Sequence, residues 1–281
     1  GVNMNTINKY IEVSELPHRA DHLWRYTPWK KVHPTGKVKD VPKEVKGPKI
    51  RLLNLSGTES PPGIELIRGV GEDIRLPESD DVSTNFIKSI SEDSKWILKT
   101  ESKFNSNEPI LIEIDAVDEI NGIQLTLDIG DRCEFEIVTI IKGSTNWMGL
   151  LRTGRIGNGS NINDITVGLQ ERGTLLRVDA ISLGRDAEFR TGTVSSGSER
   201  TKADLRYRMG EIGSNLRVIG SILSRDSMHL DHHIEIQHDA PQTFSRLSWN
   251  AACGGKSKTI GTGMLKVANG SKGADASQNF H

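Results

Sequence analysis

The sequence predicts a mainly β protein preceded by a smaller, irregular α/β leader, and three observations carry that expectation. Nine of the ten prolines lie in the first 120 residues, whereas 21 of the 28 glycines lie in the last 161. Proline cannot donate to a strand ladder, and glycine punctuates the turns between strands. From Gly122 onward the hydrophobic period becomes two, as expected of half-buried strands. Turn residues recur between the apolar runs, at Gly130-Asp131, Gly157-Asn158-Gly159, Gly184-Arg185-Asp186, Gly213-Ser214 and Gly254-Gly255. They set strand centres about every 11–15 residues, near the spacing of all-β folds. The division is expected at residue 120, with the leader over 1–120 and the β body over 121–281.

Within the leader, Pro17 to Trp24 reads as a short helix, ended by the restriction that Pro28 places on Thr27. Thr35 to Lys49 has no helical period and reads as an extended surface segment. Asp81 or Ser83 caps a second helix running through Ile90. Lys95 to Lys103 and Pro109 to Ile114 read as strands. In the β body, Ile123, Leu125, Leu127 and Ile129 alternate with Gln124, Thr126 and Asp128, and Cys133, Phe135 and Ile137 share one face. The pattern continues through Leu176, Val178 and Ala180, through Leu216, Val218 and Ile222, and through Met228, Leu230, Ile234 and Ile236. A sandwich or barrel fits this regularity, and so does a β-solenoid. The solenoid gains some support from Gly173-Thr-Leu-Leu-Arg-Val and Gly213-Ser-Asn-Leu-Arg-Val, which lie 40 residues apart.

Composition removes several function classes. The 281 residues carry 36 basic and 37 acidic side chains, so the long-range basic field of a non-specific nucleic-acid binder is missing. No apolar run approaches the roughly 18 residues that span a bilayer, and Gly1 to Tyr10 lacks the apolar segment of a signal peptide. Two cysteines, Cys133 and Cys253, are too few for a disulfide framework or a four-thiolate metal site. The expected compartment is the reducing cytoplasm.

The densest cluster of ligand-type residues is His229-Leu-Asp231-His232-His233, followed by Glu235 and His238. On a strand, His229, Asp231, His233, Glu235 and Gln237 share one face, while His232 and His238 join Met228, Leu230, Ile234 and Ile236 on the other. The first face has donors suited to a divalent metal. The commoner alternative is a polar face of an exposed strand, with His232 and His238 as hydrogen-bonded interior rings. Gly255-Lys256-Ser257 resembles the end of a phosphate loop, but the motif's first glycine would fall at Asn250 and no helix follows, so nucleotide binding is not expected. Cys253 would need an activating base to act as a nucleophile, and Cys133 is expected to be buried. Arg177, Arg206, Arg208, Arg217, Arg225 and Arg246 recur on polar strand faces, where neighbours such as Asp179, Asp204 and Asp226 suggest ordinary cross-strand pairs.

Two stretches resemble a known family. Trp24-Arg25-Tyr26-Thr27-Pro28, shortly after Leu16-Pro17, is similar to the N-terminal W-R-[YF]-T motif of the SufB/SufD family of iron–sulfur cluster assembly scaffolds. The longer match is Asp231-His232-His233, His238-Asp-Ala-Pro241, Gly261-Thr-Gly263-Met-Leu265-Lys-Val267, Gly270-Ser-Lys-Gly-Ala274-Asp275-Ala276 and Gln278-Asn279. It resembles that family's histidine-rich strand, H-x-A-P-x-T turn, G-x-[IVL]-x-V strand and closing G-A-x-x-T-x-A-x-Q, and it lies nearer SufD at Asp231-His232-His233. The resemblance implies a right-handed parallel β-helix behind a small N-terminal α/β region, which selects the solenoid. It also implies a non-enzymatic scaffold that works with a SufC-type ATPase and a SufB/SufD-type partner or a second copy. No intrinsic cofactor is implied, only a transient iron–sulfur cluster in the full complex.

The family continues beyond the position of Gln278-Asn-Phe-His281 into the strand that holds an interface Cys or His and then into SufC-binding helices, so no residue here is assigned to cluster ligation or SufC binding. An uncapped last rung leaves strand donors unpaired. A dimer contact is therefore expected at the C-terminal end, with Ala274, Ala276, Gln278 and Phe280 as candidates. The principal rival is a metal-dependent β-fold enzyme using His229, Asp231 and His233. A carbohydrate-active β-helix is disfavoured, because the acids are scattered.

Overall fold

The computed structural model describes the chain except for residues 1–2, 15–16, 18–21, 58–59, 70–76, 78–80, 118 and 196. The leader begins with helix α1 (Met4–Val13), whose N-cap Asn3 side chain accepts from the Asn5 N–H. A single 3-10 turn (His22–Trp24) and a short helix α2 (Trp29–Val32) follow. Half of the helix expected over Pro17–Trp24, residues 18–21, and Leu16 before it, lie outside the described residues. Thr35 to Lys49 holds no helix, as expected. Strands β1 (Lys49–Leu53) and β2 (Ile64–Arg68) come next, then helix α3 (Val82–Ile90) with Asp81 at its N-cap.

From β3 (Lys95–Thr100) and β4 (Ile110–Asp115) onward, strands alternate between two sheets. The odd sheet continues through β5 (Ile120–Asp128), β7 (Trp147–Ile156), β9 (Thr174–Leu183), β11 (Arg200–Met209), β13 (His229–His238) and β15 (Lys258–Val267). The even sheet continues through β6 (Glu134–Lys142), β8 (Asn161–Gly168), β10 (Glu188–Ser195), β12 (Asn215–Ser224), β14 (Phe244–Cys253) and β16 (Asp275–Phe280). All these neighbours pair in parallel; only β1 and β2 are antiparallel, against β4 and β3. The body is therefore a parallel β-solenoid. The expected division at 120 falls at the start of β5, and both sheets extend upstream of it through β1–β4.

Glu134, Asn161, Glu188 and Asn215 stack in register, which sets the turn at 27 residues over this stretch, and the later turns lengthen to 29 from Asn215 to Phe244 and 31 from Phe244 to Asp275. The 40-residue similarity is therefore not the repeat. Leu176-Arg177-Val178 lies on β9 and Leu216-Arg217-Val218 on β12, in different sheets and with opposite faces inward. The true period shows in Gly130, Gly157 and Gly184, which stack at one corner. A Cβ on Gly157 would lie 2.1 Å from the Gly130 carbonyl oxygen, so only glycine lets successive turns approach there.

The interior holds Ile123, Leu125, Leu127, Ile137, Leu205, Leu216, Val218, Ile234 and Ile236, all essentially inaccessible. A second apolar cluster lies outside the odd sheet, under the leader. Phe86 of α3 is its hub, with ring centroids 5.0 Å from Tyr10, 5.3 Å from Trp29 and 5.4 Å from Trp147. Trp147 Nε1 donates to the Val32 carbonyl at 2.7 Å. This cluster takes Leu176 and Val178 of β9, the residues whose alternation suggested an inward face. The inward set of β9 is instead Leu175, Arg177, Asp179, Ile181 and Leu183.

Candidate functional site

Strands β11 and β13 pair so that Lys202 faces Asp231, Asp204 faces His233 and Arg206 faces Glu235. Their outward side chains set basic groups against carboxylates. Lys202 Nζ lies 3.1 Å from Asp231 Oδ2, His233 Nδ1 3.6 Å from Asp204 Oδ1, and Arg206 donates to Asp204 at 2.8 Å. Glu235 is 3.5 Å from Arg206 and 2.7 Å from Lys266 of β15.

The leader closes over this face. Thr27 Oγ1 donates to Asp231 Oδ2 at 2.7 Å and lies 2.9 Å from His229 Nε2. A hydroxyl has one proton, so with Asp231 as acceptor the second contact runs from His229 Nε2–H to Thr27. Burial, with Asp231 opposing, lowers the His229 pKa, which suits this neutral imidazole. Lys202 also donates to the Leu23 carbonyl and sits 5.3 Å from the Trp24 ring centroid, while Lys258 lies 5.7 Å from that of Tyr26. Asp81 stands near Asp204 and Arg206; burial and the Asp204 charge, against Arg206, push its pKa up to about 6. Two stretches some two hundred positions apart in sequence thus meet at Thr27 and Asp231. The exposed polar face expected for β13 is instead covered: Asp231 is 2% exposed and His233 4%.

Inside the solenoid, His238 has both ring nitrogens engaged, Nδ1 with Thr243 Oγ1 and Nε2 with Ser245 Oγ, each at 2.8 Å. His232 packs 5.1 Å from the Trp249 ring centroid, and its Nδ1 has no partner among the described residues. Burial, helped by Arg177 and Lys202, depresses its pKa to about 3. Both inward placements agree with the strand geometry read from sequence.

The interior also contains an ionic network that the sequence reading missed. Arg152 donates to both oxygens of Asp164, at 2.8 and 2.9 Å, and to both of Asp179, at 3.1 and 2.7 Å. Arg177 donates to Asp179 at 3.2 and 2.9 Å and to Thr193 at 2.9 Å. Tyr207 adds a hydrogen bond to Asp179, and Thr191 one to Asp164. Two guanidinium groups balance two carboxylates, and all four side chains are sealed from solvent. Burial alone would raise the Asp179 pKa, but Arg152 and Arg177 outweigh it and hold the carboxyl far below the usual range. Arg177 therefore sits inside the solenoid, not on a polar outer face. A usable signal was present: Arg152 follows Leu150, and Asp164 follows Ile162, at the two-residue spacing of the inward positions.

The remaining expected positions fall as follows. Arg206 and Arg208 are paired, Arg208 with Asp239 at 2.7 Å. Arg217 and Arg246, expected to form cross-strand ion pairs, have no acidic partner among the described residues and face each other in register. Cys133 is buried and Cys253 exposed. Pro241 follows β13, and Gly270 adopts φ +87° before β16. A Cβ on Gly263 would lie 2.7 Å from Gln278 Oε1 and 3.0 Å from the Phe280 ring, so this glycine makes room for two side chains of the last strand. Ala276, Gln278 and Phe280 pair with the inward residues Ser245, Leu247 and Trp249. Ala274 precedes the strand. Among the described residues no three His, Cys, Asp or Glu side chains are grouped to hold a metal ion, and no helix is long and apolar enough to cross a membrane.

Fold and contacts together define a parallel β-helix protein whose leader is fastened to its flank. The family model described as SUF system FeS cluster assembly, SufBD core domain, matches residues 129–281, just over half of the chain. The chain belongs to this family, which gives it a role in SUF iron–sulfur cluster assembly; the match does not separate SufB-like from SufD-like members. No curated protein matches the chain.

Proposed function

We propose that the chain is a non-enzymatic scaffold, acting in the cytoplasm with a SufC-type ATPase and with a SufB/SufD-type partner or a second copy of itself. The iron–sulfur cluster is then cargo assembled in the complex. The supporting observation is the Thr27–Asp231 contact. There the two stretches that most resemble the family are used to fix the leader to the solenoid. Asp231 accepts from Thr27 and from Lys202, and Thr27 in turn engages His229. Groups committed to one another in this way hold a shape, whereas a reaction centre needs groups poised toward a substrate. A solenoid also suits a platform, because each turn contacts only its neighbours and its surface can diverge locally.

The test is reconstitution of the purified chain with a SufC-type ATPase, iron and sulfide. The chain should co-elute with the ATPase and develop cluster absorbance only in the complex. Tight stoichiometric zinc or iron on the isolated chain, with a hydrolytic activity abolished by His229→Ala, would establish the metal-dependent enzyme instead.

A further inference from the structure

The two sheets have different outer faces. The leader packs on the odd sheet, while the even sheet presents a row of arginines beside a row of apolar side chains. Arg190, Arg217 and Arg246 occupy one register position on successive strands β10, β12 and β14. Arg190 is partly neutralised, 3.7 Å from Glu188 and bonded to Asn163 and Asn161. Arg217 and Arg246 are exposed, and neither has an acidic partner among the described residues. Like charges placed directly opposite on neighbouring strands oppose pairing. The fold therefore carries an uncompensated repulsion here that an added anion would relieve.

Two residues along each strand, the next row reads Ile165, Gly192 and Ile219. The missing side chain at Gly192 leaves a notch: a Cβ there would meet nothing closer than 3.9 Å, with an Ile165 side-chain carbon at that distance. A groove of about 270 Å³ runs over it, and Ile219 and Val194 beside it are 41% and 39% exposed. A single exposed isoleucine is ordinary, but a notched apolar row against an unpaired basic row is an amphipathic surface.

We propose that this face docks an acidic amphipathic helix of a partner protein, with carboxylates on the arginine row and an apolar side chain in the notch above Gly192. The spacing selects a helix. Successive arginines step across the sheet by about 4.8 Å, close to the roughly 5.4 Å rise of one helical turn. An extended segment presents same-face side chains about 6.6–6.8 Å apart, and falls out of step within three positions. The two rows lie about 7 Å apart along the strands, within reach of adjacent stripes on a helix roughly 10–12 Å across. Charge distribution argues against a nucleic acid. Glu136 occupies the arginine row itself two turns upstream of Arg190, at the edge of the groove, Glu134 lies in the adjacent row, and Asp275 adjoins Phe244 on the other side. A long polyanion would run onto these carboxylates, whereas a helix of two or three turns is confined to the arginines. This inference does not depend on the scaffold reading.

The test uses the full chain and a labelled helical peptide about three turns long, with glutamate on one stripe and leucine on the next, followed by fluorescence anisotropy. Saturable binding that weakens with salt is expected, falling by about tenfold or more in Arg217→Glu/Arg246→Glu and in the neutral pair Arg217→Gln/Arg246→Gln. Ile219→Lys should weaken it similarly, whereas Glu136→Lys, which replaces a carboxylate lining the groove by a cation, should strengthen it. Circular dichroism confirms that each variant is folded; all these positions are solvent-facing. The proposal is overturned if the peptide does not bind, or if the arginine variants bind it equally well. It is overturned too if a leucine-free acidic peptide or a single-stranded oligonucleotide of equal charge binds as tightly. Loss of self-association in the same variants, without peptide binding, would assign the face to a second copy and also overturn it.

Discussion

The two sheets of the solenoid share a length, a register and a core, yet they tolerate polarity in opposite places. The even sheet has one dry and one wet face: β12 alternates without interruption between buried and exposed positions. The odd sheet is dry on both sides where the leader covers it, and β9 is buried at nearly every position. Its polar residues must therefore be paired within the protein, either inside the solenoid around Arg152 or outside it along Lys202 and Asp231. Water solvates the arginines of the even sheet. Other side chains have to do so for those of the odd sheet.

The sharpest way to break this comparison is to remove one charge from each sheet. Arg152→Met leaves Asp164 buried without a cation and Asp179 with Arg177 alone, and should cost about 3–5 kcal/mol in urea unfolding. A loss under 1 kcal/mol would mean that water reaches the network.

Acid should act on the same interior. The folded pKa of His232 is about 3, whereas the unfolded ring titrates near 6.5. The stability held by the neutral ring is thus full above about pH 6.5 and lost as pH falls toward 3, with a slope approaching 1.4 kcal/mol per unit. His232→Gln should flatten that acid limb. An unchanged slope would place the proton uptake elsewhere.

Two smaller effects follow from single hydrogen bonds. Thr27→Val removes a donor to a buried carboxylate and should cost about 1.5–3 kcal/mol. Limited proteolysis should then cut the leader while the solenoid stays protected. His238→Ala strands Ser245, leaves Thr243 with only the Ala240 carbonyl, and should cost about 1–3 kcal/mol by the same measurement. Replacing His233 is no mild control for it, since the leader side of β13 is buried too. Arg217→Ala on the wet face marks the other extreme and should stay within about 0.5 kcal/mol of the parent. A larger loss would show that this face is already occupied within the chain.

Alternation found strands wherever water wets one face, so β5, β6, β12 and the inward side of β13 were legible from sequence. It failed at β9, where both faces are dry and Leu176 and Val178 looked like core. Helix α1 went unread although the signal was there: Met4, Ile7, Tyr10 and Ile11 recur at helical spacing behind the N-cap Asn3. The family resemblance supplied the choice of solenoid over sandwich, which period two cannot make. The repeat was present in the glycines at 130, 157 and 184, since a corner that stacks on its own copy excludes a Cβ.

By itself the sequence determined the β body, its turn positions, the inward rings of His232 and His238, and two stretches characteristic of a family. Only the tertiary structure decided that those stretches touch, that Arg152 and Arg177 lie inside, and that Arg217 and Arg246 remain unpaired. The reason is physical. Local pattern records which side of a strand avoids water, but the partner of a polar group is chosen by whichever turn of the solenoid, or stretch of the leader, stacks against it.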